Sequence, residues 1–183
     1  DGHGWCGFNF FRTGGDIVSD FGVVLGKLQR TTAYQDLTAP ISRPGCWAYP
    51  DMLEVGNFGG SADFVQSRTH FGAWCVVSSP LYLGFDLENS ELIDSIWDIV
   101  SNREAIAINQ AWAGHPGRLV QSHAAHQLWA KRMPGGGQAA LVLNRGSAAL
   151  PAMSVSLADL ELNAGTTYVA RDVWAHKDLP SIR

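Results

Sequence analysis

The chain has 183 residues, 46% of them hydrophobic, and carries a formal net charge of −4 with only 16% charged residues. Such a chain is long and apolar enough for one cored domain or two small ones, and it is not disordered in composition. The acidic balance excludes the basic footprint of a nucleic-acid binder, and no apolar run approaches the roughly 20 residues of a membrane span.

In chain order, Phe8 to Phe11 is an aromatic run suited to a buried strand, closed by Gly14-Gly15. Val23, Val24 and Leu28 predict a helix with Ser19 or Asp20 as its N-cap. Pro40 to Pro44 is a loop, and Met52 to Val55 a short strand or its exit. Ser61 is a cap candidate with Asp63 in the first turn, and Phe64, Phe71 and Trp74 mark one face of the helix that follows. Leu81 to Phe85 predicts a buried strand ending at Asp86. Leu92, Ile93, Ile96, Ile99 and Val100 form a helical stripe. Strands alternating with helices in this way specify a parallel β/α sheet.

The pattern changes after Gly114-His115-Pro116-Gly117. Leu119 to Gln121, Leu128 to Lys131, Ala139 to Asn144, Met153 to Leu157 and Thr167 to Val173 are short strand-like runs. Gly135-Gly136-Gly137 and Asn163-Ala164-Gly165 supply turns between them. Closely spaced strands with turns predict an antiparallel β-sandwich. The expected division is 1–117 and 118–183.

Cys6, Cys46 and Cys75 make an odd count with no C-x-x-C pair, which disfavours a zinc site. In an extracellular protein an odd count fits a cysteine whose partner lies outside the chain. The six histidines show no i, i+4 ligand spacing, and His70 reads as a packed core residue. The seven tryptophans read first as core packing, although aromatic faces also serve sugar sites.

Three acids, Asp16, Asp51 and Asp86, each follow a predicted strand, where parallel β/α folds place functional side chains. Asp51 stands in Trp47-Ala48-Tyr49-Pro50-Asp51-Met52-Leu53-Glu54-Val55-Gly56. Pro50 fixes its own φ and extends Tyr49, so the acid is presented from a stiff backbone. This segment resembles the W-x-x-P-D-M-L-x-x-G signature of glycoside hydrolase family 27, the α-galactosidases (melibiases) and α-N-acetylgalactosaminidases. Phe11-Arg12-Thr13-Gly14-Gly15-Asp16-Ile17 is similar to the family's W-R-T-x-x-D-I motif, with Phe11 replacing tryptophan. Arg171-Asp172-Val173-Trp174 resembles its closing R-D-L-W segment. Arg68-Thr69-His70-Phe71, Ser79 to Leu87 and Ile106 to Gln110 match in the family's order. Ala48 and Tyr49 depart from it, standing where an asparagine and an aspartate are usual.

The resemblance implies an α/β fold: the second half of a (β/α)8 TIM barrel, followed by a truncated C-terminal antiparallel β-sandwich domain. It implies a retaining hydrolase acting on terminal α-linked galactose, with Asp16 as general acid/base and Arg12, Asp51 and Met52 holding the sugar. Such a reaction needs one carboxylate to attack the anomeric carbon and another, kept protonated, to release the leaving oxygen. The family's K-x-D nucleophile motif and its Asp-Asp sugar-binding pair do not occur here. The expectation is therefore an internal fragment, inactive by itself. No metal or cofactor is implied, Asp86 is held as structural, and the implied setting is secretory or lysosome-like. Two other readings are an α-N-acetylgalactosaminidase, a choice that depends on a loop before the acid/base motif that is missing or altered near Asp1 to Gly7, and a silent sugar-binding protein without the nucleophile.

Overall fold

The computed structural model describes residues 6–36, 38–60, 63–151 and 153–183. Strands β1 (Phe10–Arg12) and β2 (Trp47–Tyr49) pair in parallel, with Phe10 opposite Trp47 and Arg12 opposite Tyr49. One further parallel rung, Leu53 with Leu83, continues this arc. Helices α1 (Phe21–Arg30), α2 (Asp63–Val76), α3 (Ser90–Val100) and α4 (Arg103–Gln110) accompany it. The result is an α/β fold that resembles part of an unclosed barrel. A three-stranded antiparallel sheet follows, β3 (Arg118–Ser122), β4 (His126–Arg132) and β5 (Gln138–Asn144), and then a small ribbon of β6 (Arg171–Asp172) and β7 (Lys177–Asp178).

Local chemistry explains the helix starts. Asp20 is the N-cap of α1 and accepts from the Val23 N–H at 2.9 Å. Asn89 caps α3 in the same way through Leu92. Asn102 caps α4 through Glu104 and Ala105, and its amide also donates to the Val173 carbonyl at 3.1 Å. One side chain thus starts a helix and fastens the C-terminal segment to it. The Ser61 cap lies outside the described residues.

Helix α2 is the hub of the packing. Phe71, Ala73, Trp74, Cys75 and Val76 are all buried, and the helix touches α1, α3, α4, β4 and β5. A helix with apolar contacts on most sides belongs inside a core. Trp129 of β4 and Leu143 of β5 join the same apolar cluster as Val24 and Leu28 of α1. Burying each such side chain contributes about 1.5–3 kcal/mol. Gly117, at the expected boundary, donates its N–H to the Val76 carbonyl at 2.9 Å, and a Cβ there would lie 2.2 Å from that oxygen. Only glycine allows this approach.

Several expectations are corrected. The first strand is Phe10–Arg12 rather than Phe8 to Phe11. The runs Met52 to Val55 and Leu81 to Phe85 reduce to the single Leu53–Leu83 rung, held by Leu53 N–H to Tyr82 C=O and Gly84 N–H to Leu53 C=O. Nor is Leu81 to Phe85 a buried strand. Parallel strands are buried when both faces are covered, whereas Phe10, Met52, Tyr82 and Leu83 remain 39–49% exposed. Phe64 lies in the first turn of α2 and is exposed, unlike Phe71 and Trp74.

Met153 to Leu157 forms no strand. There Ser156 and Asp159 bond each other's side chains and backbone, with Ser156 Oγ donating to Asp159 Oδ2 at 2.6 Å. Such local bonds compete with a ladder. Thr167 to Val173 reduces to the Tyr168–Ile182 rung and the β6–β7 ribbon. The described residues therefore show a small sheet and a ribbon, not two stacked full sheets. Cys6 and Cys46 form a disulfide across 40 residues. The odd cysteine is Cys75, a buried thiol of α2 whose burial pushes its pKa up to about 12. It packs as a small apolar group.

Candidate active site

Parallel pairing places the ends of β1 and β2 side by side, with Thr13 N–H donating to the Tyr49 carbonyl at 3.0 Å just past the last rung. Arg12 closes β1, and Asp51 lies two residues beyond β2. Arg12 Nη2 donates to Asp51 Oδ2 and forms an ion pair with Asp16 Oδ1 at 3.0 Å. One guanidinium therefore bridges two carboxylates of very different exposure. The Asp16 side chain is 87% exposed and that of Asp51 only 3%.

Asp51 has positive φ, 106°, a conformation rare outside glycine. That turn folds its carboxylate back on the surrounding backbone. Oδ2 accepts from the Ile17 N–H at 2.6 Å as well as from Arg12, and Oδ1 accepts from the Met52 N–H at 2.9 Å. Burial alone would raise the Asp51 pKa, but the Ile17 and Met52 donors and Arg12 outweigh it and hold the carboxyl below the usual range. A carboxylate offers about four acceptor positions. Asp51 therefore keeps roughly one free, on Oδ1, and remains an anion.

The loop carrying Asp16 is supported from two other sides. The buried Lys27 of α1 donates to the Gly15 carbonyl, and burial lowers its pKa. Ser19 Oγ donates to Glu54 Oε2 at 3.0 Å, an oxygen that also accepts from Asn57 at 3.1 Å. Met52 rests against Gly84, where a Cβ would come within 2.5 Å of its side chain, and is partly exposed at the rim.

The structure brings Asp16, Arg12 and Asp51 together, with Met52 beside them. Asp86 is engaged elsewhere, in the turn that follows it, where it accepts from the Glu88 N–H at 2.9 Å. His70 is wholly buried, in line with the core reading, and burial drives its pKa to about 3. Among the described residues there is no group of three or more His, Cys, Asp and Glu that could hold a metal ion.

Sequence reasoning missed Lys27 and Glu54, which lacked any distinguishing pattern. It also missed an aromatic trio: the rings of Phe10, Tyr49 and Tyr82 lie 5.4–5.5 Å apart. Tyr49, which replaces the usual aspartate, is buried there, and burial pushes its phenol up to about 12.

The profile of the family described as Alpha galactosidase A matches residues 5–111, and that of the Alpha galactosidase C-terminal beta sandwich domain matches residues 123–182. The chain belongs to glycoside hydrolase family 27, the melibiases. It is 34% identical over 182 residues to Alpha-galactosidase 2 of Arabidopsis thaliana, covering 98% of this chain and 43% of that protein. It is also 34% identical over 167 residues to the Alpha-N-acetylgalactosaminidase of Rattus norvegicus, covering 91% of this chain and 39% of that protein. The fold matches the crystal structure of alpha-galactosidase I from Mortierella vinacea with a TM-score of 0.79 at 24% identity, over 95% of this chain and 48% of that one. This melibiase chain thus spans about two fifths of the length of those curated relatives.

Proposed function

We propose that this chain provides the acid/base and part of the sugar-binding site of a retaining glycoside hydrolase that removes terminal α-linked galactose from oligosaccharides or glycoconjugates. The arrangement of Arg12 between exposed Asp16 and buried Asp51, at the ends of adjacent parallel strands, carries the reading. Asp16 is the general acid/base, since its carboxylate, paired with Arg12 at 3.0 Å, is the exposed acid of the site. Arg12 is 42% exposed and keeps further N–H donors for sugar hydroxyls. Asp51 fixes Arg12 and offers one Oδ1 position to a hydroxyl. Met52 forms the apolar rim.

Retention needs a second carboxylate about 5–5.5 Å from the acid, free to attack. Asp51 does not serve, because it is buried and its carboxylate is held by three donors, Arg12 and the Ile17 and Met52 amides. The sequence has no K-x-D motif, so on this reading the chain does not turn over substrate alone. The Cys6–Cys46 disulfide supports a secreted or lysosome-like setting, where disulfides persist.

The protein at its natural length, assayed on an aryl α-galactoside with NMR detection, should release α-galactose first. First release of β-galactose, or no activity with intact folding, overturns the proposal. Equal identity to the rat relative favours α-N-acetylgalactosaminide as the second substrate to assay. A higher kcat/KM on that substrate would replace the first reading by the second.

A further inference from the structure

Helix α2 presents three buried polar side chains to the backbone around Asp51. Ser67, His70 and Trp74 follow i, i+3, i+7 spacing, which places them on one helix face. Trp74 Nε1 donates to the Asp51 carbonyl at 2.7 Å. His70 Nε2 accepts from the Glu54 N–H at 3.0 Å, and Ser67 Oγ accepts from the Gly56 N–H at 2.8 Å. All three side chains are fully buried. The His70 and Trp74 rings meet edge to face with centroids 4.1 Å apart, so each restrains the other.

The tethers run in antiparallel order: 67 to 56, 70 to 54 and 74 to 51. They act as a ruler along the segment 51–56. At one end Gly56, with φ +84°, lies so close to α3 that a Cβ would meet Leu92 at 2.5 Å. At the other end Asp51 holds its positive φ. A residue in that region costs on the order of 1–3 kcal/mol and persists only when its surroundings over-determine it. The three bonds from α2 supply that determination. Asp51 then passes the constraint on, since its carboxylate grips both Arg12 and the Ile17 N–H directly after Asp16.

We propose that His70, with Ser67 and Trp74, is a positioning residue for the sugar site: it fixes the 51–56 backbone so that the Asp51 carboxylate holds Arg12 and the Asp16 loop in register. None of the three touches substrate in this arrangement. The consequence for sugar recognition rests on the assignment of Arg12, Asp16 and Asp51 above, while the mechanical coupling does not.

Native-state amide exchange on this chain tests the coupling without any sugar. Ile17 is the reporter, because it belongs to another segment and its N–H is bonded to the Asp51 carboxylate. His70→Leu should speed exchange at Ile17 about tenfold or more relative to a destabilising control of matched melting temperature, Leu143→Val in β5. His70→Gln, which keeps an acceptor near the Nε2 position, should restore most of the protection. In an Asp51→Ala background, where Ile17 has already lost its partner, His70→Leu should add nothing at Ile17. Should His70→Leu fail to fold, Ser67→Ala removes one rung of the ruler and should speed Ile17 exchange in the same direction. Equal effects of the α2 variants and the control, or no rescue by glutamine, overturn the proposal. Galactose binding by the natural-length protein judges the other reading: its absence with the Ile17 result intact removes the sugar assignment and leaves the positioning device standing.

Discussion

Arg12 and Asp51 are 39 residues apart in sequence, yet the guanidinium of one is hydrogen bonded to the buried carboxylate of the other across two adjacent parallel strands. The pair organises the site asymmetrically. Asp51 is spent on structure, with the Ile17 and Met52 amides and Arg12 on its oxygens. Asp16, on the far side of Arg12, remains exposed.

For Asp51, the isosteric Asp51→Asn replaces one acceptor oxygen by a donor facing donors that need an acceptor. A hydrogen bond to a charged group is worth about 1.5–3 kcal/mol, so kcat/KM of the natural-length enzyme should fall roughly 10- to 100-fold. The loss should be similar for good and poor leaving groups, with no rescue by azide and with weaker product inhibition by galactose. Unchanged galactose inhibition would show that Asp51 neither touches the sugar nor orders the groups that do.

For Asp16, Asp16→Asn should slow substrates with poor leaving groups far more than activated aryl ones, since only the former need the proton. Azide should partly restore turnover of the activated substrates, because it attacks the glycosyl intermediate without a general base. Equal losses for both classes and no azide effect would remove Asp16 from the acid/base role.

For His70, the folded-state pKa of about 3 lies below the ordinary value of 6.5. The unfolded chain therefore takes up a proton that the folded one refuses. His70 costs no such penalty above the unfolded value, and stability is lost as pH falls from there toward the folded value. Urea unfolding at pH 7 and 4.5 should show wild type losing roughly 2–3 kcal/mol more than His70→Gln over that interval. Parallel losses in the two proteins would mean that His70 ionises in place.

For the disulfide, Cys6–Cys46 closes a loop across 40 residues. Chain entropy assigns such a cross-link about 4 kcal/mol. Reduction, or Cys6→Ser with Cys46→Ser, should lower the melting temperature clearly, and a Cys75→Ala variant should keep the response to reductant. A melting temperature indifferent to reductant would count against the pairing.

The sequence alone determined the helix periodicities, a helix cap at Ser19 or Asp20, the change of pattern near Gly117 and the three sheet strands around Leu119, Leu128 and Ala139. These rest on local chemistry: side chains three or four apart on a helix, glycine turns, short polar caps. Its P-D-M-L and R-T-x-x-D segments also marked Asp51 and Asp16 as the acids of interest. The tertiary structure decided what pairing and burial decide. It reduced Leu81 to Phe85 to one rung and left Phe64 exposed. It turned Met153 to Leu157 into a serine-capped turn. It paired Cys6 with Cys46, buried Asp51 beneath Arg12 while leaving Asp16 in solvent, and set His70 against the Glu54 amide. Apart from the local Ser156–Asp159 turn, these contacts join residues distant in sequence. Whether an acid is spent on structure or left free for chemistry depends on which neighbours the fold delivers to it, and no local pattern carries that information.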